Sequence, residues 1–337
     1  MHPEKKNFLI TIDTEGDNLW SRPTEITTEN SCFIRRFQDL CERYKLKPTY
    51  LTNYEMANAP EFQYFAKDVL SRDVAEIGMH LHAWNTPPYF KLTDNDLFHQ
   101  PYLIEYPIDV MRDKIVLMTD LLESMFGKKM VSHRAGRWGF DERYARILVE
   151  NGYKVDCSVT PLISWKGCIG DPVQSGGNDY TNFHKDTYFI NLNDISKKGM
   201  SSLLEVPVSI EKLYFSCIDD FKNTFQNIPP IRKPLNYLFP TLTWLRPDGS
   251  NLRHMLNLLK KTVHLNKDYV EFVLHSSELM PGGSPNFVSK KAIDKLYEDM
   301  EILFSKTLNH YVGCTLNEYY EKYILKKAID VEDNLIK

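Results

Sequence analysis

Short apolar runs alternate with longer amphipathic stretches through the first half of this chain. The runs predict strands over residues 7–14, 47–53, 75–82, 130–134 and 153–159, and the stretches between them predict helices over about 30–44, 61–72, 105–126 and 140–151. Strands that alternate with helices form parallel sheets, because each crossover helix returns the chain to the same end of the sheet. The sequence therefore predicts an α/β fold whose parallel sheet is either open or closed into a barrel.

The second half of the chain is less regular. Residues 160–200 are rich in Gly, Asn, Asp and Lys and are expected to be mostly loops. Strands are predicted at 187–191, at 202–208 and in YVEFVLH (269–275), followed by a helix at 287–307. Residues 211–265 are predicted to be a partly helical insertion. Because no internal repeat or low-complexity linker interrupts the chain, residues 1–330 are expected to form a single domain that includes this insertion.

Composition excludes several classes of function. The chain has 337 residues and a net charge of −4, with no long basic run, which argues against nucleic acid as the main partner. No apolar stretch reaches membrane-spanning length and the N-terminus does not have the pattern of a signal peptide, so we expect a cytoplasmic protein. Six cysteines without close pairing favour reduced thiols and argue against a Cys-based zinc site.

Two predicted strands end in paired polar side chains. The first strand ends in Asp13 and Glu15, and the third ends in His80 and His82. Residues two apart on a strand project to the same face. Neighbouring carboxylates repel each other, so a fold tolerates them best beside a cation or in a catalytic role. Two imidazoles with one carboxylate form an open metal site, and we expect a divalent metal rather than a purely structural role for these residues.

Three further strands carry polar residues at their predicted carboxyl ends, namely Arg134, Asp156 and His275. The guanidinium of Arg134 has a fixed charge and a donor fork suited to a carboxylate. Gly136, just after it, permits the close approach of a ligand. The active sites of α/β barrels lie at the carboxyl ends of their strands, so all of these residues are expected to meet in one site.

The ordered motifs TIDTEGD, EIGMHLHAW, HRAGRWG and FVLHSSEL resemble those of polysaccharide deacetylases of carbohydrate esterase family four, the nodulation-protein-B-like group. The resemblance extends from residue 8 to about residue 285. It implies a distorted (β/α) barrel, usually with seven strands, and a hydrolase that removes acetyl groups from amino sugars.

The resemblance also implies individual roles. Asp13 would be the general base, Arg134 would orient it, and His275 would be the general acid. The metal ligands would be Glu15, His80 and His82. The usual motif places its two acids next to each other and its histidines four apart, whereas here Thr14 separates the acids and position 84 is Trp. Zinc is the expected metal, with cobalt or nickel as alternatives, although some branches of the family function without a metal.

Several neighbouring residues are candidates for lesser roles. Asp156 is expected to orient His275. The rings of Trp84 and Trp138 either stack on a sugar or pack under loops. Arg137 either meets a phosphate or an acidic sugar, or is solvated. Substrate binding is therefore predicted for Trp84, Gly136, Arg137 and Trp138.

The expected function is metal-dependent removal of an N-acetyl group from an amino sugar or a surface-polysaccharide precursor. The alternative on the same fold is another C–N hydrolase, allantoinase-like or amidohydrolase-like and possible without a metal. A mononuclear iron oxygenase would usually place a carboxylate two residues after its first histidine, where this chain has His82. An inactive carbohydrate-binding protein would not need the full set of acid, base and ligands.

Overall fold

The computed structural model describes residues 5–174, 176–214, 216–224 and 228–336. The strands are β1 (Lys6–Thr14), β2 (Pro48–Thr52), β3 (Glu76–Leu81), β4 (Ser132–Ala135), β5 (Val155–Asp156), β6 (Tyr188–Asn191), β7 (Asp194–Lys198), β8 (Leu204–Glu205), β9 (Ile210–Glu211), β10 (Thr243–Trp244), β11 (Tyr269–His275) and β12 (Tyr311–Gly313). The α-helices are α1 (Ile34–Arg43), α2 (Tyr54–Ala57), α3 (Pro60–Ser71), α4 (Asp96–His99), α5 (Ile108–Phe126), α6 (Glu142–Glu150), α7 (Ser216–Thr224), α8 (Pro229–Leu238), α9 (Leu252–His264), α10 (Lys290–Thr307) and α11 (Leu316–Ile336).

The centre of the molecule is a curled parallel sheet with the strand order β11-β1-β2-β3-β4-β5-β8. Its two edges approach each other without forming a ladder. On β11, Val273 N donates to the Leu245 carbonyl at 2.9 Å, and Glu271 N donates to Ser209 Oγ at 3.0 Å. The segments that follow β8 and β10 thus cover the open edge of β11. The predicted distorted (β/α) barrel is confirmed.

Side-chain alternation along β1 separates the two faces of the sheet. Phe8, Ile10 and Ile12 point outward into the main hydrophobic core beneath the helices. Leu9 points inward and packs with Leu51 and other apolar residues inside the barrel. Both faces are covered, so β1 is buried from Phe8 onward, as expected for a central parallel strand. The same alternation decides which polar side chains can enter the site.

Most predicted elements are present, with shifted ends. The predicted strand over 153–159 shortens to two residues, Val155–Asp156, and the predicted helix over 30–44 begins with a 3₁₀ turn over Glu29–Phe33. β12 and α11 were not predicted. The helical prediction for 211–265 is confirmed by α7, α8 and α9, although residues 215 and 225–227 lie outside the described part.

Two further findings concern membrane-spanning helices and the cysteines. No helix among the described residues is both long and apolar enough to cross a lipid bilayer. The described cysteines are all free thiols, which agrees with the prediction of reduced cysteines. Cys217 lies outside the residues whose side chains are described.

Candidate active site

A cleft of about 300 Å³ opens at the carboxyl ends of the parallel strands. It brings together most of the residues singled out from the sequence: Asp13, Glu15, His80, His82, Trp84, Arg137, Trp138 and His275. Arg134 lies directly beneath this set, where it contacts Asp13. These residues meet because the sheet is parallel, so that β1, β3, β4 and β11 all end at the same rim.

Three side chains on the floor of the cleft converge as a metal site would require. His80 Nε2 lies 3.0 Å from His82 Nε2, and Glu15 Oε2 lies 3.5 Å from the first nitrogen and 3.4 Å from the second. Zinc bonds of about 2.0–2.1 Å in a tetrahedral arrangement separate neighbouring ligand atoms by about 3.4 Å. The spacing therefore fits a cation bound by these three residues, and all three are buried.

The hydrogen bonds around the two rings also suit ligation. His80 Nδ1 lies 2.9 Å from the Arg134 carbonyl, so this nitrogen carries the proton and the lone pair of Nε2 faces the site. Burial and the neighbouring His80 hold the pKa of His82 well below its ordinary value, which keeps that ring neutral. Burial lowers the pKa of His80, but the carboxylates of Asp13 and Glu15 outweigh burial and raise it. The site thus attracts positive charge, which a bound cation would supply.

Gly136 allows His82 to sit where it does. A Cβ atom at position 136 would lie 2.4 Å from the His82 ring and 2.4 Å from the Leu81 carbonyl oxygen. The other face of the His82 ring stacks on Trp84, with centroids 4.2 Å apart. Gly136 was predicted to allow the close approach of a ligand, whereas the structure shows it in close approach to His82, a candidate metal ligand.

Asp13 is the carboxylate best placed to act as a base. Arg134 Nη1 donates to Asp13 Oδ1 at 2.6 Å, which leaves Oδ2 facing the cleft. Burial raises the pKa of Asp13, but the positive charges of Arg134, His80 and His275 outweigh burial and hold the pKa well below its usual range. Asp13 is therefore ionised at neutral pH, which is the state that a general base requires.

A second carboxylate supports Arg134 from below and was missed in the sequence. Arg134 Nη2 donates to Glu271 Oε1 at 2.5 Å and to Thr11 Oγ1 at 2.7 Å, deep inside the barrel. Arg134 Nε also donates to the Cys157 carbonyl at 3.1 Å. The sequence did contain a signal for Glu271, because Glu271 and His275 are four residues apart on one strand and so share a face.

His275 stands beside Asp13 at the end of β11, and its partners lie in loops. Its Nδ1 is 3.2 Å from Glu278 Oε2 and 3.1 Å from Arg246 Nη2, while its Nε2 faces Asp13. Glu278 also accepts from the His275 backbone N–H at 2.9 Å. The exposed ring of Trp20 meets the imidazole edge-on, with centroids 4.9 Å apart. The motif HSSE, with an acid three residues after the histidine, was the available signal for Glu278.

The prediction that Asp156 orients His275 is wrong. Asp156 is paired in register with His133, whose Nδ1 lies 2.6 Å from Asp156 Oδ1, and it also accepts from Ser158 Oγ at 2.9 Å. Its neighbour Val155 points into the barrel, so alternation turns Asp156 to the outer face, beneath α6. Glu278 occupies the position that had been expected for Asp156.

The remaining candidates line the walls of the cleft. Trp138 is buried and packs over the Arg134 guanidinium at 4.9 Å, and its ring is stacked with that of Trp165, with centroids 6.4 Å apart. Arg137 is half-buried and lies over the ring of Tyr102 at 4.2 Å. Among the tryptophans that follow the motifs, Trp20 is the most exposed at 39%.

Comparison with solved structures identifies the fold. The chain matches a structure from Mycobacterium smegmatis, described as a polysaccharide deacetylase, with a TM-score of 0.56 at 14% identity over 96% of this chain and 93% of the other. A structure from Parabacteroides distasonis, described as a glycoside hydrolase/deacetylase, matches with a TM-score of 0.61 at 11% identity over 95% and 71%. The chain has a polysaccharide deacetylase-like fold.

The same fold also carries other chemistry. The 4-alpha-glucanotransferase of Thermococcus litoralis matches with a TM-score of 0.50 at 13% identity, over 95% of this chain and 40% of that enzyme. No protein-family model and no curated protein matches the sequence. A deacetylase-like fold therefore does not by itself assign a reaction, which has to be argued from the site.

Proposed function

We propose that this chain is a divalent-metal-dependent hydrolase that removes the N-acetyl group from an amino sugar or a surface-polysaccharide precursor. One observation carries the proposal. Three potential ligand atoms, from Glu15, His80 and His82, converge within 4.8 Å of one another beside an ionised Asp13 on a deacetylase-like fold. The donor set of two imidazoles and one carboxylate suits zinc and leaves positions for water and substrate.

The chemistry that such a cation supplies is Lewis acidity, which polarises an amide carbonyl and makes water a better nucleophile. The protein residues supply the proton transfers. Asp13 would accept the proton of the attacking water through Oδ2, because Oδ1 is held by Arg134. Arg134 holds that carboxylate in place and keeps it ionised until it accepts the proton, and Arg134 is itself held from below by Glu271.

His275 would donate a proton to the departing amine. Its Nε2 lies 3.6 Å from Asp13 Oδ2, so the acid and the base face the same reacting amide. Glu278 accepts from Nδ1 and so fixes the orientation of the ring. A backbone N–H near Arg137, where the chain turns sharply with a φ of 53°, is our candidate for holding the oxyanion of the tetrahedral intermediate.

A substrate screen tests this function. Purified protein is treated with chelator, reloaded with zinc, cobalt or nickel, and incubated with a set of N-acetylated sugars and sugar precursors while free acetate is measured. We expect acetate from at least one sugar, and only after metal is restored. Release of ammonia or a ureido product from a cyclic or linear ureide, with no acetate from any sugar, would instead support the alternative C–N hydrolase.

A further inference from the structure

The charged residues that line the cleft are unevenly distributed. Its acidic members are Asp13 and Glu15, both on the floor, where they belong to the candidate catalytic and metal-binding set. Its basic members on the walls are Arg22, Arg137 and Arg246. Arginine remains charged at every physiological pH. A substrate that reaches the floor therefore passes a positively charged wall.

Arg246 is not free to bind an anion on its own. Its Nη2 lies 3.5 Å from Glu278 Oε1 and 3.1 Å from His275 Nδ1, so a buried carboxylate offsets its charge. Arg22 and Arg137 are different. Within the described parts of the chain, neither forms an ion pair with a carboxylate within 4.0 Å.

Arg137 is a positive charge held in place by backbone carbonyls. Its Nη1 donates to the carbonyl of Gln100, and its Nη2 donates to that of Ile169 at 3.2 Å. Its guanidinium also packs on the ring of Tyr102. Carbonyl acceptors fix the group without neutralising it, and the Glu105 carboxylate interacts with it only from beyond ion-pair distance. Some of its five N–H donors remain for a ligand. The position is thus pre-organised, which reduces the entropy lost on binding.

Arg22 belongs to the same wall. Its guanidinium lies 4.8 Å from the centroid of the Phe98 ring on α4, and α4 runs directly into the Gln100 carbonyl that holds Arg137. Gln100 Nε2 also donates to the Leu19 carbonyl at 3.1 Å, which ties this segment to the turn that carries Arg22. One short segment, Asp96–Gln100, therefore supports both arginines, and we call the pair the arginine wall.

We infer that the acetamido sugar bound in this cleft carries an anionic group, a phosphate or a carboxylate, which the arginine wall of Arg22 and Arg137 recognises. The inference rests on the proposed function for the identity of the sugar. Arginine forks match the oxygens of phosphate and carboxylate, and two arginines that line one cleft add their fields there. A neutral acetamido sugar would leave both arginines without an anionic ligand.

Binding measurements test the inference without requiring turnover. The metal-loaded protein is titrated calorimetrically with N-acetylglucosamine, with N-acetylglucosamine 1-phosphate and with the corresponding acetamido uronic acid. We expect at least one anionic sugar to bind about tenfold or more tightly than the neutral sugar, as a charge-assisted hydrogen bond would produce. Whichever of the two anionic sugars binds more tightly shows whether the preferred group is a phosphate or a carboxylate. The preference should fall at high salt.

Two variants and a matched control assign the effect. Arg22→Gln changes an exposed side chain and should remove most of the anion preference, and Arg137→Gln should do the same. Arg43→Gln removes the same charge from a residue that is 62% exposed and paired with Glu301 on the outer surface, and should leave the preference within about twofold.

The outcomes of these experiments test the arginine wall and the deacetylase function separately. Equal affinity for the neutral and anionic sugars would overturn the inference, as would a phosphate preference that survives both arginine changes, since the phosphate would then be held on the floor. An Arg22-dependent anion preference in a protein that releases no acetate would support the arginine wall and refute the deacetylase function.

Discussion

Asp13 and His275 are register partners on the adjacent parallel strands β1 and β11, and His275 Nε2 lies 3.6 Å from Asp13 Oδ2. Paired residues on neighbouring strands project to the same face of a sheet. This pairing places a candidate base from the start of the chain beside a candidate acid from near its end. At this separation both groups can reach neighbouring atoms of one reacting amide bound above them.

His275→Ala tests the acid. Loss of the proton donor should lower turnover roughly a hundredfold or more, because expulsion of the amine becomes limiting. Metal content, measured by elemental analysis, should not change. Loss of metal in this variant would make His275 a ligand, and turnover close to that of the wild type would assign the acid to another residue.

Glu278→Gln tests whether the buried carboxylate positions His275. The amide keeps the volume but weakens the hydrogen bond to Nδ1 that fixes the ring. We expect kcat to fall roughly tenfold or more with little change in KM, because the effect appears in proton transfer rather than binding. Glu278→Asp should recover part of the loss. Similar changes in kcat and KM, with a lower melting temperature, would indicate a merely structural role.

His82→Ala tests the metal site. Removing one of three ligands should weaken zinc affinity by more than about a hundredfold, and the purified variant should contain far less metal than the wild type. His264→Ala, at an exposed position on α9, is the matched control and should keep full metal content. Equal zinc content in the two variants, or no metal in either variant or the wild type after loading, would refute the site.

Glu271→Gln tests the pH dependence of stability. Burial raises the pKa of Glu271 from 4.5 to about 7, although the Arg134 charge opposes the shift. Because the folded state holds this proton more tightly, Glu271 contributes most to the free energy of unfolding below pH 4.5. That contribution is lost as the pH rises through about 7.

Denaturant unfolding of wild type and Glu271→Gln at several pH values measures this contribution. The difference between their free energies of unfolding should change by on the order of 3 kcal/mol between pH 4.5 and 7. Comparing the two proteins cancels the titration of other groups. A difference that stays constant across this window would show that Glu271 does not titrate there.

The polar floor of the site could be predicted because strands have a period of two. Asp13 and Glu15, and then His80 and His82, lie two residues apart and so share faces, and they follow apolar runs that are clear in the sequence. That these strands end at one rim follows from the parallel order, which the alternation of strands and helices already indicated.

Asp156 could not be placed in the same way. The stretch from Tyr153 to Val159 alternates, with apolar side chains at the odd positions and polar ones at Lys154, Asp156 and Ser158. Val155 and Cys157 lie inside the barrel. The sequence pattern does not say which face of such a strand is inside. Only the pairing of Asp156 with His133 reveals that its side chain lies on the outer face.

The site residues from loops and from the insertion could not be predicted from the sequence, for a different reason. Arg246 comes from the insertion and Glu278 from the turn after β11, and neither belongs to a repeating pattern that predicts its direction. Their positions depend on tertiary packing against His275. Arg22 and Arg137 likewise line the same cleft because each contacts the segment Asp96–Gln100.

The most direct test of the account compares acetate and free amine release by the wild type and by Asp13→Asn at equal metal content. The account predicts that the zinc-loaded wild type releases acetate and amine in equal amounts from an acetamido sugar. A folded Asp13→Asn should be slower by roughly a hundredfold to ten-thousandfold. An Asp13→Asn protein that retains most of the wild-type rate would remove Asp13 from the mechanism and contradict the account.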